Sequence, residues 1–124
     1  MESITTDRAP AAVGPYSQAV VANGLVFVSG QIPVDPETGD VPDGIADQTR
    51  KALTNLGNVL EAAGSGLDRA VRVTVFVTDM SAFADVNRVY AEFFSEPYPS
   101  RSCVEVSKLP KGVKVEIDAI AVRC

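Results

Sequence analysis

Val71-Arg72-Val73-Thr74-Val75-Phe76-Val77 alternates valine with Arg, Thr and Phe, which makes it a strand with one strongly apolar face. Such a face must be covered, and the sequence on either side supplies the cover. Upstream, Ile45, Thr49, Ala52, Leu53, Leu56, Val59, Leu60 and Ala63 keep three-and-four spacing, so an amphipathic helix is predicted from Ile45, with Gly64 as its stop. Downstream, Phe83, Val86, Tyr90, Phe93 and Phe94 form the apolar stripe of a second helix. Asp79 or Ser81 is its expected cap, and Glu96-Pro97-Tyr98-Pro99 breaks it.

Further out, both ends read as strands. Ser17 to Ala22 and Leu25 to Ser29 flank Asn23-Gly24, a dipeptide suited to the positive φ angles of a type I′ turn, so a hairpin is predicted there. Val34 to Asp40 is rich in turn formers and reads as an exposed loop that leads through Pro42-Asp43-Gly44 into the first helix. Near the C-terminus, Arg101 to Val106 and Val113 to Ala119 both alternate, with Leu109-Pro110-Lys111-Gly112 between them, and a second hairpin is the natural reading. The order is two strands, helix, strand, helix, two strands. This implies an α+β fold in which two one-faced helices cover one side of a mixed sheet. The other side carries Thr, Ala, Phe and paired charges, and such an uncovered face points to an oligomer whose subunits meet along it. No internal repeat or low-complexity tract interrupts the chain.

A length of 124 residues predicts one domain spanning 1–124. The net charge of −5 is poor for gripping phosphate backbones, so nucleic acid is not an expected partner. No apolar run approaches membrane-spanning length and the start lacks the pattern of a signal peptide, so the expectation is a cytoplasmic protein without a membrane partner. Cys103 and Cys124 do not make a disulfide framework. The absence of histidine removes Ser/His and Cys/His nucleophile systems and the commonest zinc ligand; no metal site is expected. No Gly-rich phosphate loop is present.

Chemistry must then come from Arg, Glu, Tyr, Ser, Cys or the backbone. Strand alternation puts Arg101, Cys103 and Glu105 on one side, and Lys114, Glu116 and Asp118 on one side of the following strand. Paired as a hairpin, the two polar sides would lie next to each other, with a planar cation beside an acid able to handle protons. The alternative is a solvated charged face.

With these segments assigned, the chain resembles the reactive intermediate deaminase family, also called the RidA or YjgF type, essentially end to end. The matching stretches are Ala9-Pro10-Ala11-Ala12-Val13-Gly14-Pro15-Tyr16-Ser17-Gln18, Ser29-Gly30-Gln31-Ile32-Pro33, Thr74-Val75-Phe76-Val77, Val86-Asn87, Arg101-Ser102-Cys103-Val104-Glu105-Val106, Leu109-Pro110 and Val115-Glu116-Ile117-Asp118-Ala119-Ile120-Ala121. The resemblance implies a subunit like chorismate mutase of the trimeric type and a homotrimer with a site in each interface cleft. It also implies hydrolysis of 2-enamines and 2-imines, such as 2-aminoacrylate released by pyridoxal-phosphate-dependent dehydratases, to 2-keto acids and ammonia without a cofactor.

Carried over, Arg101 resembles the substrate carboxylate clamp, since guanidinium offers a rigid bidentate fork. Its other reading is an ion pair with Glu105 or Glu116. Glu116 resembles the residue that orients water and moves protons, against a solvated strand carboxylate. Cys103 resembles a residue of the binding shell that helps with its backbone, rather than a nucleophile. Ser29 and Gly30 end a strand where backbone can approach a ligand. Tyr16 resembles the aromatic residue closing over substrate, the alternative being a core tyrosine. Asn87 resembles a residue supplied to the cleft, the alternative being a plain helix-surface Asn. Ser95 to Ser100 is shorter than in the bacterial members, which leaves side-chain preference open. A carboxylate-binding regulatory trimer without catalysis is the competing function.

Overall fold

The computed structural model describes residues 1–124 as a six-stranded mixed sheet with two helices on one face. The strands are β1 (Glu2–Ile4), β2 (Ala19–Ala22), β3 (Leu25–Gln31), β4 (Ala70–Val77), β5 (Ser100–Glu105) and β6 (Val115–Val122). The helices are α1 (Ile45–Ala62) and α2 (Phe83–Phe93), and the sheet order is β1-β2-β3-β6-β4-β5. The predicted α+β arrangement is the one found. β1, which the sequence reading did not include, extends the sheet by pairing antiparallel with β2.

Local chemistry accounts for these elements. Asn23 and Gly24 take φ of 52° and 75°, so β2 and β3 form the predicted hairpin. Gly64 at φ 80° ends α1. Asp79 accepts the backbone N–H of Ser81 at 2.9 Å, which caps the short 3₁₀ turn Met80–Ala82 that feeds α2 instead of capping α2 itself.

The core lies between sheet and helices. Leu53, Leu56, Val59 and Leu60 of α1 meet Val73, Val75 and Val77 of β4 and Ile117 of β6, all fully buried. Burying each such side chain contributes about 1.5–3 kcal/mol, so this stripe is the main source of cohesion. Val71 departs from the predicted face: the register of β4 on β6 shifts between Ala70 and Arg72, and Val71 turns out to solvent.

The C-terminal hairpin is not formed. β6 inserts between β3 and β4 and runs antiparallel to both, while β5 lies at the sheet edge, parallel to β4. The α1 and α2 crossovers make β3, β4 and β5 parallel, and the only antiparallel slot beside the buried β4 is the gap between β3 and β4. The residues after β5 therefore pass across the end of β4, with Lys111 and Gly112 turning at φ 58° and 67°.

Candidate functional site

The first group of polar residues forms where β3 ends against β6. Val28 pairs with Ala119 and Gln31 with Ile117, so Ser29 and Gly30 together oppose Asp118 in a bulge. Gly30 leaves room for the Glu116 side chain, whose Cδ lies 2.7 Å from where a β-carbon on Gly30 would sit. The Ser29 hydroxyl donates to the Ser17 carbonyl at 2.6 Å, tying the bulge to the segment that carries Tyr16. Tyr16 is exposed, which rules out the core-tyrosine reading; its Oη accepts the Val13 N–H at 3.4 Å.

Tyr16, Ser29, Gly30 and Glu116 all line one cavity of about 680 Å³ at this end of the sheet. Burial raises the pKa of Glu116, and the neighbouring charge of Asp118 raises it further. Asp118 is itself pushed up by burial, with Thr74 and Arg72 holding it back. A carboxyl moved toward neutrality in a cavity wall is suited to giving and taking a proton.

The second group lies elsewhere. Arg101 and Cys103 of β5 are in register with Val73 and Val75 of β4, so they face the helix side of the sheet. Glu116 and Asp118 are in register with Phe76 and Thr74, on the open side. The expectation that the two polar sides adjoin is thus corrected twice: β4 separates β5 from β6, and the side chains point to opposite faces. Two strand spacings of about 4.8 Å separate the backbones.

The Arg101 guanidinium sits over the Tyr90 ring, 4.8 Å from its centroid, and 5.5 Å from that of Phe83. Asn87 is four residues after Phe83 and three before Tyr90, on that same face of α2. Arg101 forms no ion pair within the chain, and Glu105 instead accepts the Met80 N–H at 2.8 Å. The Cys103 thiol is raised by burial, partly offset by Arg101, so nothing here favours a thiolate.

Several residues of these two groups were not anticipated. Gln31 Oε1 and Tyr90 Oη are the two buried side-chain polar atoms without a partner, and they fall one in each group. The spacing of Tyr90 predicts its place in the stripe of α2 but not its unpartnered hydroxyl; Gln31 is turned inward by the bulge, for which the sequence offers only Gly30. Gln18 and Asn55 are buried amides that hold the cavity walls. Gln18 donates to the Pro10 carbonyl at 2.8 Å, and Asn55 donates to the carbonyls of Ile32 and Val34 at 3.0 and 2.9 Å. For Asn55, helical spacing three residues after Ala52 and four before Val59 was a readable signal.

Comparison with known proteins agrees with this architecture. The family described as Endoribonuclease L-PSP matches residues 6–123. An Escherichia coli K12 protein named 2-iminobutanoate/2-iminopropanoate deaminase is 51% identical over 125 residues, covering 98% of each chain. Among solved structures, E. coli TdcF with bound serine superposes with a TM-score of 0.95 at 50% identity, covering all of both chains. RidA from the Antarctic bacterium Psychrobacter sp. does so with a TM-score of 0.95 at 45% identity, covering 98% of this chain and 99% of that one.

Proposed function

The chain belongs to the Endoribonuclease L-PSP family, the RidA type, and on that premise we propose that it is a hydrolytic deaminase of 2-enamines and 2-imines. The products are 2-keto acids and ammonia. The observation that carries this reading is Glu116, a carboxyl of raised pKa set over Gly30 in a cavity wall.

In the proposed reaction, Arg101 takes the substrate carboxylate in a bidentate pair, while Tyr16, Ser29, Gly30, Asn87 and Cys103 shape the binding shell. Glu116 accepts a proton from water as the water oxygen bonds to the imine carbon, and passes it to the imine nitrogen, which becomes the amine of a carbinolamine. Glu116 then takes the carbinolamine hydroxyl proton and delivers it to that amine as the C–N bond breaks, so that ammonia leaves, the carbonyl forms and the carboxylate is regenerated. Atoms balance with one water consumed, and the intrinsic reactivity of imines leaves positioning and proton transfer as the tasks of the protein. The residues in hand need no cofactor for these steps.

Arg101 and Glu116 serve one substrate only if they come from two copies, since one copy holds them on opposite faces of its sheet. We therefore propose a homotrimer of single-domain subunits with a composite site at each interface. Phe27, Val104 and Val122, exposed on the open sheet face, are residues such an assembly would cover. Pyridoxal-phosphate-dependent dehydratases, which release enamines, are the proposed source of substrate, and the cytoplasm the proposed location. No helix is long and apolar enough to cross a membrane. The family's description names a ribonuclease, but a net charge of −5 and the absence of histidine favour a small acid over RNA.

The test couples a serine or threonine dehydratase to this protein and follows the lifetime of the released enamine and imine. Shortened lifetime with matching ammonia supports the deaminase. Binding of 2-keto acids without any acceleration would favour the regulatory reading.

A further inference from the structure

The cavity beside Glu116 is much larger than a three-carbon acid requires. Allowing about 30 Å³ for each water-sized group, the roughly six non-hydrogen atoms of 2-iminopropanoate need about 180 Å³. The cavity holds about 680 Å³. It is also pre-formed, because Gln18 pins one wall through the Pro10 carbonyl and Asn55 pins the other through Ile32 and Val34.

Its lining has a definite character away from Glu116. Pro10, Val13, Ile32, Val34 and Pro110 present apolar surface. Asp35 shares the lining with Lys111, and its charge is held in an ion pair with Lys51 at 3.5 Å, so the apolar residues set the preference of the cavity.

We propose that this cavity is a side-chain pocket that makes bulky apolar 2-imino acids, of the kind derived from leucine or phenylalanine, better substrates than 2-iminopropanoate. The inference rests on the deaminase reading above. With the carboxylate on Arg101 of a second copy and the reacting carbon at Glu116, the remaining substituent is directed toward the cavity that Glu116 lines. Each methylene buried there raises kcat/KM about fourfold, so three additional carbons set a ceiling of roughly 60-fold.

The experiment generates imines in situ with an amino acid oxidase from alanine, 2-aminobutyrate, leucine, phenylalanine and glutamate, and measures kcat/KM for the wild type and Ile32→Trp. In parallel, calorimetry compares pyruvate with 4-methyl-2-oxopentanoate as ligands. The expected result is a leucine-to-alanine ratio of about 5 to 50, a poor glutamate-derived substrate, and a ratio that falls toward one in Ile32→Trp. Ile32 is half-buried at the cavity wall, so the larger ring has room to fill the pocket. Good turnover of the alanine-derived imine with a flat or inverted ratio would overturn the side-chain pocket and leave the deaminase standing. If no imine is turned over faster, the deaminase reading fails; tighter binding of the larger keto acid would then still support the pocket, and equal binding would overturn it as well.

Discussion

Glu116 occupies the space that any side chain at Gly30 would need: its carboxylate carbon and Cγ lie 2.7 and 3.0 Å from the position of a β-carbon there. Gly30 is outside the left-handed region, so alanine fits the backbone, and the three atoms nearest its added carbon all belong to Glu116. Gly30→Ala should leave the fold intact and move the carboxylate by about 1 Å, a displacement that costs on the order of 100-fold in turnover when the group handles protons. Steady-state kinetics on a variant with wild-type circular dichroism decides this. Turnover within twofold of wild type would mean that the place of Glu116 over Gly30 is of no catalytic consequence.

Glu116→Gln keeps the shape and removes the titrating group. General acid–base assistance is typically about 100-fold to 10,000-fold, and a loss of that size in kcat is expected while 2-keto acids still bind. Equal loss of binding and turnover would make Glu116 a structural carboxylate.

Asp118 sets the pH at which Glu116 works. Its charge is the second cause, after burial, of the raised Glu116 pKa, so Asp118→Asn should move the acid limb of the kcat/KM profile to lower pH. The sign for stability follows from both folded values lying above their unfolded ones. The contribution to stability is complete below the ordinary carboxylate pKa and is lost as pH rises through the raised values. Asp118→Asn should therefore melt no lower than wild type at pH 7, with the difference shrinking on acidification. An unmoved acid limb would separate the two residues functionally.

Much of this arrangement was readable from the sequence because it rests on local rules. Asn23-Gly24 dictates a turn, the stripes of α1 and α2 each need one covered face, and Val73, Val75 and Val77 demand that cover. What alternation cannot say is which strand lies next to which. Arg101, Cys103 and Glu105 share a side by parity alone, and parity is silent on whether that side faces helices or solvent; the parallel pairing with Val73, Val75 and Val77 settles it. Polar identity suggested the open face, yet α2 offers the aromatic rings of Tyr90 and Phe83 under the guanidinium, so a cation is tolerated there. The separation of Arg101 from Glu116 is thus a property of topology, fixed by where β6 inserts.

The rings under Arg101 should matter for binding. Cation–π contact is worth about 0.5–1 kcal/mol at a partly exposed site, or roughly two- to fivefold in affinity. Tyr90→Leu should weaken 2-keto acid binding by that factor, while Tyr90→Phe, which keeps the ring, should not. Arg101→Lys should lose about one to two decades because the planar fork is gone, with Arg101→Ala losing more. Equal affinity of wild type for a keto acid and its methyl ester would sink the clamp.

Cys103 faces the helix side with its thiol held protonated by burial. Cys103→Ser should keep most activity, and no substrate adduct should form on the wild-type thiol. A mass shift at Cys103 after incubation with substrate, or loss of activity by orders of magnitude in a folded variant, would restore the nucleophile.

The sharpest test concerns the composite site. Arg101→Ala and Glu116→Gln should each be inactive alone. If each site takes Arg101 from one copy and Glu116 from another, then unfolding the two variants together and reassembling them creates some interfaces with both residues intact. In a cyclic trimer assembled at random from equal amounts, the Arg101 donor is intact in half the sites and the Glu116 donor in half of those, which returns about a quarter of wild-type activity. Were both residues drawn from the same copy, every site would lack one of them and mixing would restore nothing. Light scattering on the same samples must report a trimer. A fully active monomer, or a trimer in which mixing restores no activity, would require Arg101 and Glu116 to act on one substrate from opposite faces of a single sheet, which the register of β4 with β5 and β6 does not permit.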